Sequence, residues 1–212
     1  MTVNESKNHL RDSSLSKRKE LAEDKNFLDS SRKEIAKNLL SIPAMNNARI
    51  VASYAPSMGE PDPHGFLNLL KSSGLRQPQL VFPRVAGEGL LTLHFSSIEG
   101  LQPGSFGIRE PHFEAFQPNL EDIDVILVPG VSFDLEGGRL GYGKGFYDRL
   151  LGSYKTRGDG DSKGAPDASI SSRRPVLIGI GYEQTLFELL PTEDHDVMMD
   201  YLVTPKRVIK TA

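Results

Sequence analysis

The chain has 212 residues, 38% apolar and 25% charged, with a formal charge of −3, which allows one buried core and gives no general attraction to nucleic acid or acidic membranes. It contains no cysteine, which excludes a disulfide framework, a thiolate nucleophile and a cysteine-ligated metal. No stretch approaches the ~18 apolar residues of a membrane span, and residues 1–10 lack the apolar centre of a secretion signal, so a single monomeric cytoplasmic domain over 1–212 is expected.

Residues 7–40 are rich in Lys, Arg, Glu and Leu and hold neither Gly nor Pro, which predicts two helices in an N-terminal helical segment, 1–42. In the second helix Ser31 and Glu34 have capping-box spacing, and Ile35, Ala36, Leu39 and Leu40 share an apolar face that Pro43 ends. The first helix sets Leu10, Leu15 and Leu21 on a basic background of Lys7, Arg11, Lys17, Arg18 and Lys19, which by itself reads as a solvated face.

Beyond this segment, short apolar runs separated by turn residues predict strands at 49–55, 79–83, 91–95, 124–129, 176–181 and 201–204. Phe66, Leu67, Leu69 and Leu70 predict a helix between the first two, started by Asp62 and Pro63 and stopped near Gly74, giving one βαβ unit. The run Ile123, Val125, Ile126, Leu127, Val128 has the pattern of a central strand covered on both faces. Residues 153–174 are mostly Gly, Asp, Ser, Lys and Arg and read as a flexible surface insertion. Val208 and Ile209 suggest a short edge strand.

Chemistry concentrates just after the central strand. Glycines at 137, 138, 141, 143 and 145 let the backbone turn tightly and approach a ligand. Successive N–H groups there, and at a helix beginning near Phe146, make a nest for phosphate oxygens. Lys144 adds a point charge and Arg139 a planar fork. Gly138, Gly143 and Lys144 satisfy the G-x-x-x-x-G-K spacing of a P-loop, but Gly145 stands where that motif needs a hydroxyl for magnesium. Asp148, a hard oxygen donor three residues on, is the nearest candidate to replace it.

The stretch Pro129-Gly130, Phe133-Asp134 and Gly137 to Asp148 resembles the signature of 5-formyltetrahydrofolate cyclo-ligases, a strand ending in P-G, then F-D, then G-x-R-L-G-x-G-x-G-Y-Y-D. The Lys7-x-x-Leu10-Arg11 pattern, the run Phe82-Pro83-Arg84 and the segment from Phe106 through Gly107, Ile108 and Glu110 to Pro111 are similar to further family motifs. So are Pro191, Glu193, His195 and Asp196 near the end, with Val203-Thr204-Pro205 after them. The resemblance implies an α/β fold, an open, mostly parallel sheet flanked by helices of the NagB/RpiA/CoA-transferase-like kind. It also implies ATP- and Mg2+-dependent closure of 5-formyltetrahydrofolate to the 5,10-methenyl form, with release of ADP and phosphate.

Carried onto this sequence, the resemblance puts Lys7, Arg11, Arg139, Leu140, Gly141, Tyr142, Gly143, Lys144, Gly145, Phe146 and Tyr147 around ATP, with Lys144 and Arg139 catalytic. Tyr54, Glu60, Tyr142, Gly143, Lys144, Gly145 and Phe146 would contact the folate, and Asp148 and Asp196 would hold the metal. Tyr54, Phe82, Phe106, Phe146 and Tyr147 are the aromatics available for a pterin slot. Two departures stand out: Phe146 replaces the first tyrosine of the signature, and Pro63 and His64 follow Glu60 where the family usually has a threonine. A sugar-phosphate isomerase or acyl-transfer enzyme on a similar fold would need no ATP, and a non-catalytic nucleotide- or folate-binding module would be stabilised by ligand without forming product.

Overall fold

The computed structural model describes residues 3–87, 90–158, 174–193 and 196–211. Of the expected insertion at 153–174, residues 159–173 lie outside the described residues, as does His195. The N-terminal segment forms α1 (Val3–Glu23) and α2 (Lys25–Leu40), followed by the short α3 (Pro43–Asn47). The capping-box reading at Ser31 is corrected, because Asp24 starts α2 by accepting the N–H groups of Asn26 and Phe27 at 2.9 and 3.1 Å. Ser31 lies buried within the helix, and Ile35, Ala36 and Leu39 face the core as their spacing predicts.

The chain then runs through β1 (Ile50–Ala52), α4 (Gly65–Ser72), β2 (Gln79–Ala86) and β3 (Leu90–Phe95). A small hairpin of β4 (Gln102–Pro103) and β5 (Arg109–Glu110) follows, then β6 (Val125–Pro129), β7 (Ser132–Asp134) and β8 (Arg139–Leu140). Last come α5 (Phe146–Gly158), β9 (Val176–Ile180), β10 (Leu186–Phe187), β11 (Tyr201–Val203) and β12 (Val208–Lys210). Among the described residues seven strands form one sheet in the order β12-β11-β9-β6-β1-β2-β3, parallel at its centre and antiparallel at both edges.

The unit β1-α4-β2 is the expected βαβ crossover. Strand β2 runs past Pro83 to Ala86, longer than its sequence suggests, because β1 pairs with it only as far as Val81. The missing N–H of Pro83 therefore falls where no second neighbour needs it. The period of two sends Val51, Leu127 and Ile178 to one face, with Ile35, Leu39 and Phe66 from α2 and α4. It sends Ala52, Ile126, Val128 and Leu177 to the other, against Leu150 and Leu151 of α5. Every residue of β6 is buried, as its unbroken apolar run requires. The molecule is thus an α/β domain with a mostly parallel sheet covered by helices, and no helix among the described residues is long and apolar enough to cross a membrane.

Candidate active site

Strand β1 connects to β2 on one side, while its other neighbour, β6, connects onward to β9 on the opposite side, so the connections leave the C-terminal ends of β1 and β6 in opposite directions. Such a divergence opens a crevice beyond the carboxyl ends of parallel strands. A cavity of about 660 Å³ lies there, with Tyr54 and Ala55 after β1 and Pro129 at the end of β6 on its wall. Its size is that of a small-molecule site. All the residues assigned to ATP, folate and metal by sequence line this cavity, including the distant Lys7, Arg11 and Asp196.

The glycine loop is shaped from below by Asp134, which is fully buried. One carboxylate oxygen accepts the N–H of Gly138 at 2.7 Å and of Glu136 at 3.0 Å; the other accepts that of Leu190 at 2.9 Å. A Cβ at Gly138 would meet that second oxygen at 2.4 Å, so glycine is required there by close approach. Gly143 has φ +91, a conformation side-chain-bearing residues rarely adopt. Arg11 holds the loop from above by donating from Nε to the Gly141 carbonyl at 2.8 Å.

Arg139 forms an ion pair with Asp148, in the first turn of α5, and lies over the Tyr147 ring at 5.8 Å. Its Nε is buried with no hydrogen-bond partner among the described residues. Lys144 places its ammonium 3.5 Å from the centroid of Phe106, a ring 63% exposed at the tip of the β4-β5 hairpin. Phe106 also meets Phe146 at 5.9 Å, so the residue that replaces a tyrosine is part of an aromatic pair. Phe82 is in the core, packed against His64, and leaves the aromatic wall to the other residues named.

The solvated-face reading of α1 fails at this site. Lys7 donates to Glu193 at 2.8 Å and to Asp196 at 3.1 Å. Burial opposes its charge, but the bonds to both carboxylates outweigh that and hold the ammonium above its ordinary range. Arg18, which sequence left among its basic neighbours, is 1% exposed. It donates to the carbonyls of Met58 and Gly130 at 3.0 Å each, and to the Tyr142 hydroxyl. The signal that separates it from Lys17 and Lys19 is helical phase, since 7, 11 and 18 share a face.

Glu60 is also buried, accepting from the Tyr142 hydroxyl at 2.9 Å and from the Ser57 N–H at 3.0 Å. Burial raises its carboxyl above the usual range, while Arg18 and these hydrogen bonds limit the rise. Burial, then the charge of Glu60, pushes the Tyr142 phenol up to about 12. Tyr54 donates to the Pro61 carbonyl at 2.6 Å, which bends the chain back after β1.

His64, the family departure, lies 2.9 Å from Ser53 Oγ through Nε2 and 2.9 Å from Asp62 through Nδ1, and Arg32 pairs with Asp62 at 3.0 Å. This has the connectivity of a Ser-His-Asp triad, yet Ser53 and His64 are 2% and 3% exposed and neither lines the cavity. The relay ties the end of β1 to the segment bearing Glu60.

Asp148 and Asp196 both stand on the cavity wall, and no group of three or more His, Asp or Glu suited to a metal occurs among the described residues. Two hard carboxylates fit a magnesium ion that keeps waters and shares substrate phosphates, rather than one held in an all-protein cage.

The sequence profile of the 5-formyltetrahydrofolate cyclo-ligase family matches residues 3–205. The 5-formyltetrahydrofolate cyclo-ligase of Escherichia coli is 30% identical over 179 residues, covering 82% of this chain and 88% of the relative. The solution structure of Aquifex aeolicus 5,10-methenyltetrahydrofolate synthetase superposes with a TM-score of 0.70 at 36% identity, covering 96% of this chain and 92% of that one. The Mycoplasma pneumoniae synthetase, at 23% identity and a TM-score of 0.67, shares the fold. With a profile match along nearly all its length and the glycine loop set at the sheet's crevice, the chain belongs to the 5-formyltetrahydrofolate cyclo-ligase family.

Proposed function

We propose that the chain uses ATP and Mg2+ to close 5-formyltetrahydrofolate to 5,10-methenyltetrahydrofolate, releasing ADP and phosphate. The observation that carries this reading is the convergence of Lys7, Arg11, Glu60, Lys144, Asp148 and Asp196 on one cavity beside the glycine loop. An N-formyl amide is a weak electrophile with a poor oxygen leaving group. Attack of the formyl oxygen on the γ-phosphorus expels ADP and forms an iminium phosphate; N10 then attacks the activated carbon and gives up its proton, and the carbon–oxygen bond breaks to release phosphate. No protein nucleophile is needed, in keeping with a chain that has no cysteine.

What the protein supplies is alignment and positive charge. The loop amides and Lys144 receive the terminal phosphates, Arg11 steadies the loop through Gly141, and Arg139 turns its fork toward the transferring group. Magnesium, on Asp148 and Asp196, would supply further charge neutralisation on the phosphates. Glu60 accepts hydrogen bonds from the pterin, and Tyr54, Phe146 and Tyr147 wall its ring. We assign the protein to the cytoplasm as a monomer acting on small molecules, without nucleic-acid or membrane partners.

The test is direct. Purified protein with 5-formyltetrahydrofolate, ATP and Mg2+ is followed by the absorbance of the methenyl product, and omission of any one component is expected to abolish it. Product formation without ATP, or ligand-induced stabilisation without product, overturns the assignment.

A further inference from the structure

Arg18 is a buried cation, all three of whose guanidinium nitrogens donate hydrogen bonds. Besides Nη1 to Gly130 and Nη2 to Met58, its Nε donates to the Met58 carbonyl at 3.3 Å, and Nη2 also meets the Tyr142 hydroxyl. Those acceptors sit on three separate segments: the turn before Glu60, the end of β6 and the glycine loop. Met58 has φ 49, unusual for a side-chain-bearing residue, and its carbonyl is the one held twice. Gly59 next to it lies so near α1 that a Cβ would stand 3.2 Å from the Arg18 carbonyl and 3.1 Å from Ala22 Cβ.

Tyr142 is the joint of this arrangement. Its oxygen accepts from Arg18 while its hydrogen goes to Glu60 at 2.9 Å, so the buried charge reaches the carboxylate through one hydroxyl. Arg18 also lies over the Tyr142 ring at 5.4 Å. Tyr142 belongs to the glycine loop and Glu60 to the segment after β1, so a single hydrogen bond joins two segments that line the cavity.

The geometry points to Arg18 as a positioning residue, which through the Tyr142 hydroxyl locks Glu60 to the glycine loop and sets the pterin contact and the phosphate cradle as one unit. This inference rests on the reaction proposed above. A lysine at position 18 would keep the charge without the fork that reaches all three segments. The groups bearing on Glu60 are Arg18 from α1, the N–H and hydroxyl of Ser57 in its own segment, Tyr142 from the loop, Tyr147 from α5, Tyr54 before it and Tyr182 after β9. Of these, Arg18, Ser57 and Tyr142 favour its charged form.

The decisive variants are Tyr142→Phe, which removes one hydroxyl and leaves the carbonyl bonds of Arg18 in place, and Arg18→Lys. Each is compared with wild type in kcat, KM for 5-formyltetrahydrofolate, pH profile and thermal midpoint. Tyr142→Phe is expected to raise the folate KM about tenfold with a smaller change in kcat. It should also move the acid limb of kcat/KM to higher pH, since Glu60 loses a donor that favours its carboxylate. Arg18→Lys should move both in the same direction, and the double variant should be no worse than the worse single one.

A role confined to stability would lower the thermal midpoint while leaving the acid limb and folate KM in place; that result, or a Tyr142→Phe enzyme matching wild type, overturns the proposal. Should Arg18→Lys fail to fold, Tyr142→Phe alone decides. Wild-type turnover separates the two questions: absence of methenyl product removes the proposed reaction, whereas product with an unmoved Tyr142→Phe removes only the role of Arg18.

Discussion

Arg139 and Asp148 form an ion pair at the base of the glycine loop, in which the arginine side chain is 5% exposed and the aspartate 30%. The cation proposed for phosphate and the carboxylate proposed for metal are thus paired with one another. Asp148→Asn breaks that pair from the metal side. The magnesium concentration for half-maximal activity should rise about tenfold or more, while nucleotide affinity without metal should not fall, since Arg139 is released. A magnesium titration and metal-free calorimetry with ATP check both parts, and an unchanged titration removes Asp148 from the metal site.

Lys144 carries charge without holding the fold together. Its side chain is exposed and sits 3.5 Å from the centroid of the Phe106 ring. Lys144→Ala is expected to lower turnover by about 10²–10³-fold, the effect of roughly 2.7–4 kcal/mol of lost charge stabilisation, with the thermal midpoint little changed. Near-normal activity would take the phosphate role from Lys144.

Lys7 makes a pH-dependent contribution of definite sign. Its folded-state pKa is raised above 10.5, so the stability it adds is fully present below that value and is lost as pH rises through the higher folded value. Melting curves of wild type and Lys7→Gln should differ by a constant amount from pH 7 to about 10, and converge only in more alkaline solution. Convergence near neutral pH would contradict the pairing with Glu193 and Asp196.

Asp134 does for the loop what a framework does for a hinge. Asp134→Ala leaves backbone N–H groups at 136, 138 and 190 without their acceptor and should destabilise the protein by about 2–4 kcal/mol. Gly138→Ala, whose added methyl meets the same carboxylate, should weaken ATP binding by a similar route. Chemical denaturation and nucleotide titration measure the two.

The Ser53-His64-Asp62 relay tests whether connectivity alone makes a nucleophile. Ser53 is buried and outside the cavity, so a fluorophosphonate probe should leave the native protein unlabelled. His64→Ala should instead cost about 1–3 kcal/mol of stability by leaving buried partners unpaired. Labelling that disappears in Ser53→Ala would reverse this reading.

The glycine loop was legible in the sequence because its parts are contiguous: Gly138, Lys144 and Asp148 lie within one turn and the helix start it leads to. Strands such as β6 were legible for the same reason, since an unbroken β-branched run has few other homes. Arg18 was not, because its helical phase groups it with Lys7 and Arg11 on one face, but only the packing of α1 shows that this face turns inward at position 18. The start of α2 was misplaced at Ser31 because a good capping pattern there competes with Asp24, and a helix with an inward Ser31 settles the competition by burial. Asp134 looked like one letter of a motif; its use of both carboxylate oxygens depends on Leu190, which is remote in sequence.

The pairing of Lys7 with Asp196 joins positions 189 apart. During synthesis at ~5–20 residues per second, the first helix therefore emerges ~10–40 s before the loop that completes its charge pairing. Until then Lys7 lacks both of its carboxylate partners, Glu193 and Asp196, so this charge pairing closes only when nearly the whole chain has been made.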